Sequence, residues 1–263
     1  MNKLVKENRV RTFFSFVFIG LLFFLPSLSM ADTEAVKRLK KGDKYLLNYD
    51  YESAIEYYTK AISLNVNLID AYIHRGAAYR EVGALDSAIR DYNRAISIKP
   101  IHDAFYNRAV VYADKGDTDR AIKDYTNAIS KNPQSVMAFN NRGIIHASRG
   151  RFDKSIEDFT RVISIEPANA YAYSNRSAAY KDKRKYQKAI DDLMKVVELV
   201  PNNFHTYYNI ARLYALKADD GSACRFLRKS VEKGFRDWSY LGFDPEMKKV
   251  SKSACFKEIM GAR

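Results

Sequence analysis

The sequence AFYNRAVVYADKGDTDRAIKDYTNAISKNP, residues 104–133, decides the fold because neighbouring stretches repeat its pattern. The clear copies are DAYIHRGAAYREVGALDSAIRDYNRAISIKP (70–100), AFNNRGIIHASRGRFDKSIEDFTRVISIEP (138–167) and AYSNRSAAYKDKRKYQKAIDDLMKVVELVP (172–201). The closing prolines are 33 or 34 residues apart: Pro100, Pro133, Pro167 and Pro201. Weaker copies end near Val66 and run from Phe204 to Phe235. A fixed period of this length is typical of a solenoid built from stacked units.

Each copy contains two short amphipathic helices. In residues 70–100, Tyr72, Gly76 and Tyr79 mark one stripe at helical spacing, Gly83 ends that helix, and a second helix comes after it. Small residues recur where the two helices must approach closely: Gly42, Gly76, Ala109, Gly143, Ser177 and Ala211. An aromatic residue stands three positions later in five copies: Tyr45, Tyr79, Tyr112, Tyr180 and Tyr214. His146 takes this position in the remaining copy. These recurring tyrosines are predicted to pack in the core.

The small residue, the aromatic after it, the Ala–aromatic–Ala triplet and the closing proline resemble the tetratricopeptide-repeat (TPR) family over residues 35–235. The resemblance implies an all-α, right-handed superhelical solenoid in which the first helix of each pair lines a concave groove. Stacking supplies the core, since one repeat cannot bury its apolar face alone. We expect six repeats within residues 32–235, at 35–68, 69–101, 102–135, 136–169, 170–203 and 204–235, and a C-terminal helical cap at 236–263.

Residues 1–31 have the three parts of a secretory signal peptide. A basic start precedes an apolar run of 13 residues (13–25), and Ser29-Met30-Ala31 supplies small residues for cleavage. The run is short for a membrane span, which needs about 20 apolar residues. The sequence therefore predicts cleavage after Ala31 and a periplasmic or secreted protein. The alternative is an uncleaved segment that anchors the protein in the inner membrane.

The chain is basic. Its formal net charge is +13, and +10 remains after removal of residues 1–31. Outside the cytoplasm this charge favours anionic polymers, lipid headgroups or acidic proteins over nucleic acid. A compact basic run from Lys181 to Lys188 is a candidate contact with an anionic surface, although a solvated face explains it as well.

Arginines and aspartates recur in step, sixteen residues apart. The pairs are Arg75 with Asp91, Arg108 with Asp124, Arg142 with Asp158 and Arg176 with Asp192. The sixth copy has Ile210 and Phe226 at these places, so the two positions change together. This joint change indicates contact between the two helices of a repeat, where a bidentate Arg–carboxylate pair would fix their register.

Asparagines stand one residue before the arginine position in four copies: Asn107, Asn141, Asn175 and Asn209, the last of which precedes Ile210. His74 and Lys40 continue the same position in the first two copies. Asparagine is a poor helix former, so its recurrence needs a reason. In the TPR family this position lines the concave groove, and such asparagine ladders resemble those that hold an extended peptide. The alternative is descent of all repeats from one ancestor.

The spacing is compatible with peptide binding. Packed helices lie about 8–10 Å apart, and an extended peptide covers about 10 Å in three residues. One amide per repeat could therefore pair with the peptide backbone at every third residue, because an amide both donates and accepts. Further candidates for the groove are Tyr106, Asn140, Tyr171 and Tyr208.

The two cysteines, Cys224 and Cys255, are candidates for a disulfide. Cys224 replaces an isoleucine found at the matching place in the other copies, and this place should face the next helix along the chain. That helix is the predicted cap, which carries Cys255. An oxidising compartment would allow the bond, whereas the alternative is two small buried thiols.

Motifs for catalysis are absent from the sequence. The four histidines have no metal-binding spacing, and there is no CxxC, GxGxxG, Walker or GxSxG pattern. We therefore expect a non-catalytic scaffold with a protein or peptide partner, no cofactor, no metal and no nucleic acid. The alternative is a structural or assembly subunit of a cell-envelope or secretion complex that docks through its convex or basic surface.

Overall fold

The computed structural model describes residues 30–248 and 250–261, which form fourteen α-helices and no strand. Six consecutive helix pairs precede a short tail. The first helices of the pairs are α1 (Met30–Leu47), α3 (Ile69–Glu81), α5 (His102–Asp114), α7 (Val136–Ser148), α9 (Ala170–Asp182) and α11 (Phe204–Leu216). The second helices are α2 (Tyr51–Leu64), α4 (Leu85–Ile98), α6 (Thr118–Lys131), α8 (Phe152–Ile165), α10 (Tyr186–Leu199) and α12 (Asp220–Glu232). The tail contains α13 (Trp238–Phe243), a 3-10 turn (Val250–Lys252) and α14 (Ala254–Gly261).

The predicted signal peptide lies outside the described residues, except that Met30 and Ala31 begin α1. Within residues 30–248 and 250–261, no helix has the length and apolar character needed to cross a membrane. Cleavage after Ala31 and the compartment of the protein stay predictions.

The twelve helices of the six pairs stack in chain order as a solenoid, in which consecutive helices pack on one another. An aromatic ring from the second helix fills the centre of each of the first four pairs: Tyr58, Tyr92, Tyr125 and Phe159, all at most 2% exposed. The ring explains the small residue of the first helix. A Cβ added at Gly76 would lie 2.8 Å from the Tyr92 ring, and one added at Gly42 would lie 2.5 Å from Tyr58.

The turn within each pair requires one residue in the left-handed region. Glycine takes this place in three repeats, with φ of +77° at Gly83 and Gly116 and +67° at Gly150. Tyr49, Arg184 and Ala218 hold it in the other three repeats, with φ between 55° and 60°. Left-handed backbone costs a residue with a Cβ more than it costs glycine. The first, fifth and sixth turns therefore carry local strain that the glycine turns avoid.

His146 occupies the place that tyrosine holds in the neighbouring repeats. It is 6% exposed, and its Nδ1 has no hydrogen-bond partner within the described structure. Burial, followed by the positive charge of Arg142, lowers the pKa of His146 from 6.5 to about 4. The fold therefore holds this imidazole in its neutral form at neutral pH.

The lowered pKa of His146 predicts sensitivity to acid. The unfolded chain binds the proton below pH 6.5, whereas the folded chain resists it down to about pH 4, so stability is lost as the pH falls through this window. We expect a loss of about 2 kcal/mol between pH 7.5 and pH 5. His146→Tyr should remove this loss, which urea unfolding at the two pH values would measure. Parallel pH profiles of the two proteins would contradict the prediction.

The tail closes the end of the solenoid. Leu241, Met247, Val250, Phe256 and Ile259 are buried in one cluster with residues of α10, α11 and α12. A disulfide joins Cys224 of α12 to Cys255 of α14, with 6.2 Å between their Cα atoms. The tail therefore covers apolar surface that the sixth repeat would otherwise expose, as a capping segment of a solenoid does.

Candidate peptide-binding groove

The first helices line the inner face of the solenoid. α1 contacts α3, α3 contacts α5 and α7 contacts α9, whereas successive second helices do not approach one another as closely. Shorter distances on one side define the concave side of a curved stack. Residues four positions before and three or seven positions after each predicted asparagine lie on the same face of its helix. We call these residues, together with the asparagine position itself, the groove stripe. The groove stripe lies along the concave side.

The four asparagines occupy the same position on α5, α7, α9 and α11. Asn107, Asn141 and Asn175 are half-buried, and Asn209 is exposed. Asn141 donates from Nδ2 to the Tyr106 hydroxyl of the preceding repeat at 3.2 Å. Asn209 accepts through Oδ1 from Arg212 at 3.4 Å. The side chains of Asn107 and Asn175 have no hydrogen-bond partner in the described part of the chain, so both amides can pair with a ligand.

His74 continues the asparagine position on α3 but already has partners. Its Nδ1 lies 2.8 Å from Oδ1 of Asp43, which also accepts a hydrogen bond from the Tyr58 hydroxyl at 3.0 Å. The imidazole meets the Tyr58 ring edge to face, with 5.8 Å between ring centroids. His74 therefore joins the first two repeats to each other.

The other predicted groove residues differ in their access to a ligand. Tyr171 is 82% exposed on α9. Tyr106 is half-buried and stacks on His102, with ring centroids 5.8 Å apart. Asn140 is also half-buried, and its buried Oδ1 has no hydrogen-bond partner among the described residues.

Tyr208 is a correction to the sequence prediction. It is only 4% exposed, because it stacks on Phe235 at 4.8 Å and donates its hydroxyl to Oδ2 of Asp244 at 2.6 Å. Both partners come from beyond α12, in the segment that closes the solenoid. Tyr208 therefore holds the tail in place and is not available to a ligand in the groove.

The arginine–aspartate pairs brace the inner wall. Each arginine donates Nε and Nη2 to both oxygens of its aspartate over 2.6–3.0 Å, and the four aspartates are at most 6% exposed. The third nitrogen, Nη1, reaches the second helix of the preceding repeat over 2.5–3.0 Å, at Thr59, Asn93, Thr126 and Thr160 respectively. One guanidinium thus joins three helices.

This third contact was not predicted, although the sequence contains its signal. The acceptor precedes the arginine by fifteen or sixteen residues, much as the aspartate comes sixteen residues after it. Where the fifth repeat meets the sixth, the whole set is apolar, with Met194 of the fifth repeat and Ile210 and Phe226 of the sixth in the three places. The joint change therefore extends over three positions and not two.

A cavity of about 400 Å³ lies at the C-terminal end of the groove, where the tail meets α9 and α11. Asn209 and His205 line it beside two ion-paired cations. Lys181 Nζ lies 3.0 Å from Glu246, and Arg212 Nε lies 3.0 Å from Asp244 and 2.9 Å from Glu246. These pairs link the tail to the groove wall, and the sequence pattern did not indicate them.

The basic run from Lys181 to Lys188 presents less free charge than its sequence suggests. Lys181 is paired with Glu246, Lys183 is paired with Asp153, and Lys188 lies over the Tyr180 ring at 5.7 Å. Arg184, Lys185 and Lys188 are exposed and have no ion pair among the described residues. Three exposed cations are a small surface for an anionic partner. The described residues also contain no group of three His, Cys, Asp or Glu side chains that could hold a metal ion.

A curved stack of helix pairs whose first helices line the inner face is the architecture of a helical-repeat scaffold. The tetratricopeptide-repeat family matches residues 39–66, 69–102, 106–172 and 170–203, which together cover more than half of the chain. The chain belongs to the tetratricopeptide-repeat family. Proteins of this family are protein-interaction scaffolds.

Curated relatives share only part of their length with this chain. The small glutamine-rich tetratricopeptide repeat-containing protein 2 of Mycosarcoma maydis is 41% identical over 70 residues, which cover 26% of this chain and 20% of that protein. The Hsp70-Hsp90 organizing protein 3 of Arabidopsis thaliana is 32% identical over 68 residues, which cover 26% of this chain and 12% of that protein. The chain thus matches no more than a fifth of either relative.

The fold extends to solved structures. The C-terminal part of a TPR repeat-containing protein from Cytophaga hutchinsonii superposes with a TM-score of 0.70 at 23% identity. The match covers 84% of this chain and 88% of that one. At this identity the likeness shows the shared solenoid fold and nothing about the ligand.

Proposed function

We propose that the protein is a non-catalytic scaffold outside the cytoplasm that binds an extended peptide, or a flexible segment of a partner, in its asparagine-lined groove. The observation that carries the proposal is the repeated position of Asn107, Asn141, Asn175 and Asn209 on successive inner helices. Two of these amides are half-buried and without partners in the described structure, and burying them unpaired under a ligand would cost free energy. Pairing with a peptide backbone satisfies them.

The compartment in this proposal is supported by residues 1–31 and by the disulfide, which fits an oxidising environment. The intact mass of the protein purified from cells would test it, since cleavage after Ala31 removes a segment of known mass. The peptide part is supported by the Hsp70-Hsp90 organizing relative, whose name indicates association with other proteins.

Replacing Asn141 and Asn175 with alanine is expected to weaken peptide binding about tenfold to thirtyfold, because a net hydrogen bond contributes about 1 kcal/mol. Peptides enriched from a random displayed library on the wild-type protein supply the ligand, and isothermal calorimetry measures the affinity. Asn127→Ala is the matched control, because Asn127 is a half-buried asparagine on α6, outside the groove. Equal affinity of the double variant and the wild type would exclude the asparagine groove as the binding site.

A further inference from the structure

The concave surface of repeats two and three is acidic, although the whole chain carries a net charge of +13. Four exposed carboxylates lie on the groove stripe of α3 and α5: Asp70, Glu81, Asp103 and Asp114. Arg80 is their one arginine partner in the described structure, at 2.6 Å from Asp114 and 3.2 Å from Glu81. Asp103 lies 2.7 Å from the His102 ring, and Asp70 has no ion pair within the described residues. This part of the groove therefore has a net negative charge.

The middle of the concave surface of repeats four and five is apolar, whereas exposed Ser148 and Asp182 occupy the last groove-stripe positions of α7 and α9. The positions that flank Asn141 and Asn175 hold Met137, Ile144, Tyr171 and Ala178. Met137 is 59% exposed, Ile144 is 49% exposed and Tyr171 is 82% exposed. The corresponding positions of repeat two, Asp70 and Ala77, and of repeat six, His205 and Arg212, do not form such a patch. Exposed apolar side chains grouped around a polar line are typical of a surface that a partner covers.

The two halves adjoin along one groove. α5 is the last helix of the acidic half, and α7, in the next repeat, is the first helix of the apolar half. No repeat lies between the two halves. Successive packed helices lie about 8–10 Å apart, which an extended peptide spans in about three residues. A ligand that runs along the groove stripe from α3 to α9 would thus meet carboxylates first and apolar side chains about three to nine residues later.

We propose that the groove selects an extended partner segment in which lysine or arginine residues lie about three to nine residues from apolar or aromatic residues. The inference rests on the peptide-binding function proposed above and specifies its ligand. Charge complementarity places the basic residues on Asp70 and Asp103, and burial of apolar area places the others on Met137, Ile144 and Tyr171. The net positive charge of the chain favours acidic partners, but the groove itself disfavours them.

The test is selection of random 14-residue displayed peptides on the purified full chain. Wild-type protein is expected to enrich peptides with Lys or Arg in one half and apolar residues in the other. Asp70→Asn with Asp103→Asn should remove the excess of Lys and Arg and weaken an enriched peptide about fivefold at low salt. Asp86→Asn with Asp119→Asn changes the net charge equally at exposed acids on second helices, and should leave the selection unchanged.

The apolar half has its own variant. Met137→Gln with Tyr171→Gln should weaken the same peptide about tenfold and remove the apolar preference, because both side chains lose apolar contact. Enriched peptides that depend on Asn141 but show no Lys or Arg excess would overturn the inference and leave the proposed function intact. An excess that persists on Asp70→Asn with Asp103→Asn would also overturn it. Enrichment of no peptide that depends on Asn141 would overturn the proposed function itself.

Discussion

Replacing Arg108 with methionine is expected to lower the free energy of unfolding by about 3–5 kcal/mol, because Asp124 would keep a buried charge without its partner. Asp124 is 2% exposed, and its two oxygens accept hydrogen bonds from Arg108 at 2.6 and 2.8 Å. Asn93 would lose its contact with the guanidinium as well. Methionine keeps an unbranched aliphatic stem, so the measured loss reports the charged group. Urea unfolding followed by circular dichroism gives the free energy.

The sixth repeat supplies the control for this experiment. Arg108→Ile together with Asp124→Phe copies Ile210 and Phe226, which are 0% and 6% exposed in the same two places. Removing both charges leaves none unpaired, and apolar packing can replace a buried ion pair at little cost. The double variant should therefore recover most of the stability lost by Arg108→Met. A single variant that loses less than about 1 kcal/mol would show that solvent screens the pair.

The arginine–aspartate contacts could be predicted because the chain repeats them. The arginine and the aspartate have the same spacing in four copies, and both become apolar in a fifth. The repeats of one chain can therefore be compared as related sequences would be. The third partner was missed because the prediction stopped at the boundary of the repeat. Thr126 belongs to one repeat and Arg142 to the next, and the Nη1 contact between them, at 2.9 Å, joins neighbouring repeats.

Tyr208 could not be placed from the repeat pattern. Its position is equivalent to that of Tyr106, which faces the groove. The repeat of Tyr106 is followed by another repeat, whereas the repeat of Tyr208 is followed by the tail. Asp244 and Phe235 cover Tyr208, and the segment that contains them has no second copy in the chain from which its path could be inferred. The same reason explains Lys181, whose charge is balanced by Glu246 from 65 residues downstream.

The apolar half of the groove was missed for a different reason. The asparagines were found because they are identical from repeat to repeat, whereas Met137 and Ile144 occupy a stripe whose residues differ in each copy. A recurring residue can be structural or functional. The position of Asp70, Asp103, Met137 and Tyr171 is exposed in repeats two to five and changes from acidic to apolar, so packing does not fix its residue type and the proposed ligand preference depends on its variation.

Converting Cys224 and Cys255 to serine is expected to cost about 3–4 kcal/mol, because the disulfide closes a long loop and restricts the unfolded chain. The bonded residues are 31 positions apart. Trp238, the single tryptophan of the chain, lies within this loop and meets the Phe235 ring edge to face at 6.1 Å. Tryptophan fluorescence therefore reports on the tail, whereas circular dichroism reports on all six helix pairs.

The two signals separate a local effect from a global one. In the double serine variant the fluorescence transition should shift to lower urea than the circular dichroism transition, because the tail loses its covalent link while the repeats keep their ion pairs. Wild-type protein treated with a reductant should behave like the variant, and the variant itself should not respond to the reductant. Identical unfolding of the wild type with and without reductant would contradict the prediction. Release of the tail would also uncover Tyr208, so the disulfide sets where the groove ends.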